Sequence, residues 1–178
     1  MAIERVAVIG AGTMGAGIAQ VCAQAGWKTA LFDAFPDGLE RGMQRIDAFW
    51  DKGIARGKTT AEQKQTWAAN LRAESDMQTA VQDADLVIEA VPEIPELKAS
   101  IFEQLDAMAP SHAILGTNTS SLSIASIANA TNRGDKVIGM HFFNPVPIME
   151  LLELVRHEGT SEETIAMAQA AGEAMKKT

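Results

Sequence analysis

Six residues near the front of the chain, Gly10-Ala11-Gly12-Thr13-Met14-Gly15, constrain its fold more than any other feature. They follow an apolar run, 3–9 (IERVAVI), that reads as a buried strand. They open a stretch, 13–25, whose Ile18, Val21, Cys22 and Ala25 form one apolar helix face. Gly26 stops that helix, and 28–32 (KTALF) reads as a second strand ending at Asp33. Strand, helix and strand within about 30 residues imply a crossover and a parallel pair. In such a turn the first glycine permits a tight reversal, the second lets a pyrophosphate approach the backbone, and the third allows close helix–strand packing. The first amides of the helix then face the phosphates.

Asp33 narrows the ligand. It follows Gly10 at the spacing of about 20 residues where a carboxylate accepts bonds from the adenosine ribose, and it repels a 2′-phosphate. No arginine neighbours it, and Lys28 lies at the other end of its strand. The expected cofactor is therefore NAD, held by Gly10, Gly12, Thr13, Met14, Gly15 and Asp33.

The rest of the chain continues the alternation. Leu39, Met43, Ile46, Phe49, Trp50 and Ile54 recur at helical spacing over 36–56, and Gly57 interrupts them. Thr59 or Thr60 caps a further helix, 61–69, with Glu62 and Gln63 at capping-box distance. Together these predict a helical hairpin, 38–69, with Phe49, Trp50 and Trp67 packed inside it, long enough to cover a ligand. Strands are expected at 71–73, 84–89 (buried except at Glu89), 113–116, 137–140 and 150–155. Helices are expected from Asp76, over 95–108 with Pro95 in the first turn, over 122–130 and over 161–176. This pattern predicts an α/β, doubly wound, Rossmann-type domain over 1–178, with a mostly parallel sheet and the hairpin as an insertion. Glu89, Thr117–Ser121 and His141–Asn144 all follow strands and are expected on one rim.

Charge and composition bound the partners. A formal net charge of −8 disfavours nucleic acid. No apolar run approaches the roughly 18 residues of a membrane span. The single cysteine, Cys22, excludes an intrachain disulfide, and no histidine pair has metal-ligand spacing, so no metal is expected. No leader is recognised in the first residues, and a cytoplasmic location is expected. Tyrosine is absent, which removes the Tyr–Lys pair of one large class of small dehydrogenases.

His141 follows strand 137–140 and precedes Phe142-Phe143-Asn144-Pro145-Val146-Pro147, a shaped loop at the ligand end of the sheet. A histidine suits proton exchange with an alcohol because imidazole titrates near neutrality. A carboxylate on its other ring nitrogen would fix the tautomer. Glu150 and Glu153 both qualify, and their odd spacing on a strand puts them on opposite faces. Thr117-Asn118-Thr119-Ser120-Ser121 reads either as a loop with a helix cap at Ser121 or Ser123, or as a hydroxyl aimed at a reacting carbonyl. His112 reads as surface and His157 as part of a polar turn.

Four segments carry a resemblance: VIGAGTMGAGIA at 8–19, VIEAVPE at 87–93, TNTSSL at 117–122 and HFFNPVPIMEL at 141–151. In this order they resemble the NAD-binding domain of the L-3-hydroxyacyl-CoA dehydrogenases, including 3-hydroxybutyryl-CoA dehydrogenases. The resemblance implies reversible hydride transfer between an (S)-3-hydroxyacyl-CoA and NAD, of the fatty-acid β-oxidation type. It implies His141 as the base and Glu153, by family position, as its carboxylate partner. Ser120 and Asn144 are implied at the substrate oxygen and the nicotinamide end, and Glu93 and Lys98 near the cofactor ribose. The hairpin is implied to help hold the CoA portion, with Lys52, Arg56 and Lys58 as phosphate partners. Family enzymes continue into a helical carboxyl-terminal domain that makes most of a homodimer contact, and the resemblance implies that this chain lacks it. Pro92 and Pro95 are local departures beside Glu93. Two other readings stay open: an NAD-dependent dehydrogenase of a free hydroxy acid, of sugar-acid or carnitine type, and a non-enzymatic dinucleotide-sensing module.

Overall fold

The computed structural model describes residues 2–178. In chain order the elements are β1 (Arg5–Ile9), α1 (Thr13–Gln24), β2 (Lys28–Phe32), α2 (Pro36–Ala55), α3 (Ala61–Ala68), β3 (Leu71–Glu74), α4 (Met77–Val81), β4 (Leu86–Glu89), α5 (Pro95–Met108), β5 (Ile114–Thr117), α6 (Ile124–Ala128), β6 (Val137–Phe142), β7 (Leu152–Val155) and α7 (Glu162–Ala174). They form one seven-stranded sheet in the order β3-β2-β1-β4-β5-β6-β7. All pairings are parallel except β6–β7. The expected alternation and mostly parallel sheet are therefore present.

The apolar strands run without polar alternation because both sheet faces are covered. Val6 and Val8 of β1 pack with Ile18 and Cys22 of α1, Ile46 and Trp50 of α2, and Ala168 and Ala171 of α7. Ala7 and Ile9, pointing the other way, pack with Val81 of α4, Phe102 and Leu105 of α5, and Ile127 of α6. Helix ends follow local chemistry. Thr60 and Gln63 form a reciprocal capping box, Asp76, Ser123 and Ser161 each accept an N3 amide, and α2 and α5 each start with a proline.

β1 lies between β2 and β4, so the chain reverses its direction of winding there and opens a crevice beyond the strand ends. Gly10 sits at that point with φ +106°, in the left-handed region. A Cβ on Gly10 would lie 2.8 Å from the Ala90 carbonyl oxygen after β4. A Cβ on Gly15 would lie 1.6 Å from the Gly10 carbonyl oxygen, so α1 can begin this close to β1 only with glycine.

Several expectations need correction. Glu89 is not the exposed end of β4 but is 0% exposed, covered by α5. The Trp50 and Trp67 ring centroids are 5.9 Å apart, and Trp50 Nε1 donates to Gln24 Oε1, but Phe49 is 37% exposed and turns out of the hairpin. Helix 122–130 shortens to α6 because Ser123 caps it. β7 spans only 152–155, leaving Glu150 outside the strand. His112 is not plain surface, since its Nε2 lies 2.8 Å from Asp85 Oδ1, whose other oxygen accepts the Glu4 and Arg5 amides.

The glycine turn yields a direct test. Gly15→Ala should lower unfolding stability by about 3 kcal/mol in denaturant titration, the scale of an overpacked contact that forces backbone to move, and should abolish dinucleotide binding in the folded fraction.

Candidate functional site

A cleft of about 930 Å³ opens at the carboxyl ends of the central strands, bordered by Gly12, Asp33, Glu93, Ser120, His141 and Asn144. Thr13 and Met14 border it too. Residues distant in sequence thus meet on one rim, as expected. Asp33 is fixed at the end of β2 by two amides: its Oδ2 accepts from Ala11 (2.8 Å) and its Oδ1 from Phe35 (2.9 Å). A carboxylate has about four acceptor sites, so two amides leave capacity for ribose hydroxyls.

These residues fit a dinucleotide. The N-cap of α1 is Gly12, with no side chain bonded to the first amides. A Cβ built on Gly12 meets nothing within 4 Å, so there is open space above the turn. Among the described residues no lysine or arginine borders the cleft, leaving phosphates to the amides and helix end and giving a 2′-phosphate no cation.

Behind the cleft lies a polar network. Glu89 Oε2 accepts from Lys98 Nζ (2.6 Å) and the Val91 amide (2.7 Å), and its Oε1 accepts from Thr117 Oγ1 (2.7 Å). Lys98 also pairs with Glu93 Oε1 at 3.1 Å. Glu93 Oε2 accepts from Thr119 Oγ1, Ser121 Oγ and the Ser120 amide. Lys98, expected near the cofactor ribose, is 1% exposed and lies behind the cleft rather than on its border. It acts on the cleft through Glu93. The sequence reading set Glu89 on the rim and missed its buried pair with Lys98, although a carboxylate ending an apolar strand, with a lysine in the first turn of the next helix, was a usable signal. Burial pushes the Glu93 carboxyl up, but hydrogen bonds from Thr119 and Lys98, the ammonium charge and the Ser120 amide outweigh it and hold the group below the usual carboxylate range.

His141 and Glu153 face each other across β6 and β7 as directly paired residues. Directly opposed residues of an antiparallel pair project to the same face, and His141 Nδ1 lies 2.9 Å from Glu153 Oε1. Nε2 has no protein hydrogen-bond partner among the described residues, and the ring borders the cleft. Asn118 Oδ1 accepts the Phe142 amide (2.8 Å) and so joins the Ser120 loop to the strand bearing His141.

A second cavity, about 340 Å³, lies between α1, α2 and the turn after Asn144, lined by Arg45, Phe49, Lys52, Val146 and Pro147. It shares Thr13 and Asn144 with the cleft. Arg56, at the C-cap of α2, borders neither cavity, nor does Lys58. Arg45 does, and its seven-residue spacing from Lys52, two helical turns, was the overlooked signal. Among the described residues no group of three His, Cys, Asp or Glu is placed to hold a metal, and no helix is long and apolar enough to cross a membrane.

Residues 5–178 match the family of the 3-hydroxyacyl-CoA dehydrogenase NAD-binding domain. The chain belongs to this family. NAD is accordingly its cofactor, in agreement with the cleft. A probable 3-hydroxybutyryl-CoA dehydrogenase of Bacillus subtilis is 42% identical over the whole chain, which covers 62% of that relative. The human mitochondrial hydroxyacyl-coenzyme A dehydrogenase is 40% identical over 91% of the chain and 53% of its own length. The crystal structure of (S)-3-hydroxybutyryl-CoA dehydrogenase from Ralstonia eutropha superposes with a TM-score of 0.96 at 38% identity, over 99% of this chain and 62% of that one. The chain thus spans less than two thirds of the length of these relatives.

The Glu93 environment sets an acid dependence. A carboxylate whose folded pKa is depressed contributes stability above its unfolded pKa of about 4.3, and loses it as pH falls through the folded value. The melting temperature of wild type should exceed that of Glu93→Gln at neutral pH, and the difference should shrink below about pH 4.3; thermal melts across the acid range measure it.

Proposed function

We propose that this chain supplies the cofactor-binding and proton-transferring part of an NAD-dependent (S)-3-hydroxyacyl-CoA dehydrogenase acting on short acyl chains such as 3-hydroxybutyryl-CoA. The observation that carries the reading is the His141–Glu153 pair bordering the same cleft as Asp33 and the glycine turn. NAD, when bound, supplies the acceptor or donor of the hydride at substrate C3.

In oxidation His141 Nε2 accepts the proton of the substrate hydroxyl, and in reduction it returns it. Glu153 Oε1 takes the Nδ1–H, which fixes the tautomer with Nε2 as acceptor and offsets the positive ring. Ser120 and Asn144, both on the cleft, donate to the C3 oxygen as its charge changes. Glu93 restrains the Ser120 backbone, and Lys98 restrains Glu93. The second cavity, which shares Thr13 and Asn144 with the cleft and is flanked by Arg45 and Lys52, suits a thioester whose tail carries phosphates. This junction of an acid–base cleft with a cationic groove favours an acyl-CoA over a free hydroxy acid. We place the enzyme in the cytoplasm, with the homodimer contact that the family resemblance implies outside this chain; the lone, buried Cys22 fits a reducing compartment.

The assay is NADH absorbance with acetoacetyl-CoA, comparing the full-length protein with this chain. Turnover with the thioester but not with free acetoacetate supports the reading. NADH binding without thioester turnover in the full-length protein sinks it. His141→Ala should lower kcat by roughly 10²–10⁴-fold, the usual span for general acid–base catalysis, with NADH affinity nearly unchanged. Asp33→Ala should weaken NADH binding and narrow the preference over NADPH, read by fluorescence titration of both cofactors.

A further inference from the structure

The end of the described chain folds back onto the turn that follows His141. α7 stops in a Schellman arrangement: the Lys177 amide donates to the Gly172 carbonyl (2.8 Å) and the Lys176 amide to that of Glu173 (2.9 Å). Lys176 takes φ 61°, the left-handed region that a glycine usually fills at this position. The only such non-glycine among the described residues, it turns the backbone so that Lys177 reaches across the carbonyls of Val146 and Met149, each 2.5 Å from its Nζ. Thr178 adds two backbone bonds, donating to the Glu150 carbonyl (2.8 Å) and accepting the Leu152 amide (3.0 Å). Burial pulls the Lys177 ammonium below the usual lysine range, and nearby Glu150 partly restores it. A partly desolvated cation is thus spent on two carbonyls of one turn.

That turn joins the two halves of the proposed acid–base pair. It begins at Asn144, which borders both cavities, and ends just before Glu153 on β7. Its own bonds are few: the Ile148 and Met149 amides both donate to the Pro145 carbonyl. Val146, buried, packs against α1 where a Cβ on Gly17 would come within 2.8 Å. Lys177 borders neither the cleft nor the cavity lined by Arg45 and Lys52, so it acts directly on neither.

We propose that Lys177 is a positioning residue: its ammonium holds the 144–149 turn so that Asn144 is presented to the cleft beside His141. The kinetic part of this inference rests on the proposed acyl-CoA dehydrogenase reaction; the structural part does not.

The experiment uses the full-length protein with Lys177→Met, which keeps the apolar stem and removes the donor, and Lys177→Arg, which restores a donor. Lys177→Met should speed amide hydrogen exchange at Ile148 and Met149 by about 10-fold or more, a loss of local protection on the scale of one to two hydrogen bonds, while α1 amides stay protected. It should lower kcat/KM for acetoacetyl-CoA by about 10-fold or more, since small displacements of a positioning group are costly. NADH affinity should hold within about 2-fold, because Asp33 and the glycine turn are untouched. Lys177→Arg should recover most of both effects. Unchanged exchange at Ile148 and Met149 in Lys177→Met overturns the proposal whatever the kinetics. So does a fall in activity matched by equal losses of NADH affinity and melting temperature. If wild type shows no thioester turnover, the proposed reaction fails while the exchange comparison still decides the role of Lys177.

Discussion

A fully buried ion pair, Glu89 with Lys98, organises the floor of the cleft. Taking both charges out of water is costly, and their attraction offsets that cost only when every remaining acceptor is bonded. Here it is: Glu89 also takes the Val91 amide and the Thr117 hydroxyl, and no buried side-chain polar atom among the described residues lacks a partner. The pair therefore does more than cement α5 to the sheet. It fixes the loop after β4, the end of β5 and, through Glu93, the backbone at Ser120. An apolar replacement of similar volume could preserve packing but not this directionality, because only hydrogen bonds specify where three separate loops must stand.

The parallel sheet explains why those loops are adjacent at all. Every strand from β3 to β6 ends on the same side, so each βα connection delivers its polar residues to one rim. β7 breaks the pattern by running antiparallel to β6, and this reversal brings Glu153 back alongside His141. The residues proposed for cofactor recognition and for proton transfer thus come from different parts of one sheet: the β1–α1 turn and Asp33 on one side of the switch point, β6 and β7 on the other. The groove beneath α2 shares Thr13 and Asn144 with the cleft.

Errors in reading the sequence had a common origin. Phe49 and Glu89 were judged by local pattern, the first as hairpin core and the second as a strand's exposed end. Both assignments fail because neighbouring elements decide exposure: α2 presents Phe49 to a groove, and α5 folds over Glu89. The resemblance, by contrast, set Arg56 and Lys98 by position; Arg56 borders neither cavity, and Lys98 pairs with Glu89 and Glu93 behind the cleft.

The sequence by itself determined the strand–glycine turn–helix start, the carboxylate at Asp33, the alternation of strands and helices, and the placement of His141 at a strand end. These are short-range consequences of backbone sterics, hydrophobic periodicity and turn chemistry, all carried by neighbouring residues. The resemblance pointed to Glu153, but only the tertiary structure supplies its contact with His141. Glu150 and Glu153 have the same chemistry and nearly the same position along the chain, and spacing cannot separate them. The pairing register of β6 with β7 sets Glu153 opposite His141 and leaves Glu150 outside the strand. Register is a property of two strands together, fixed by long-range packing, and no single segment contains it.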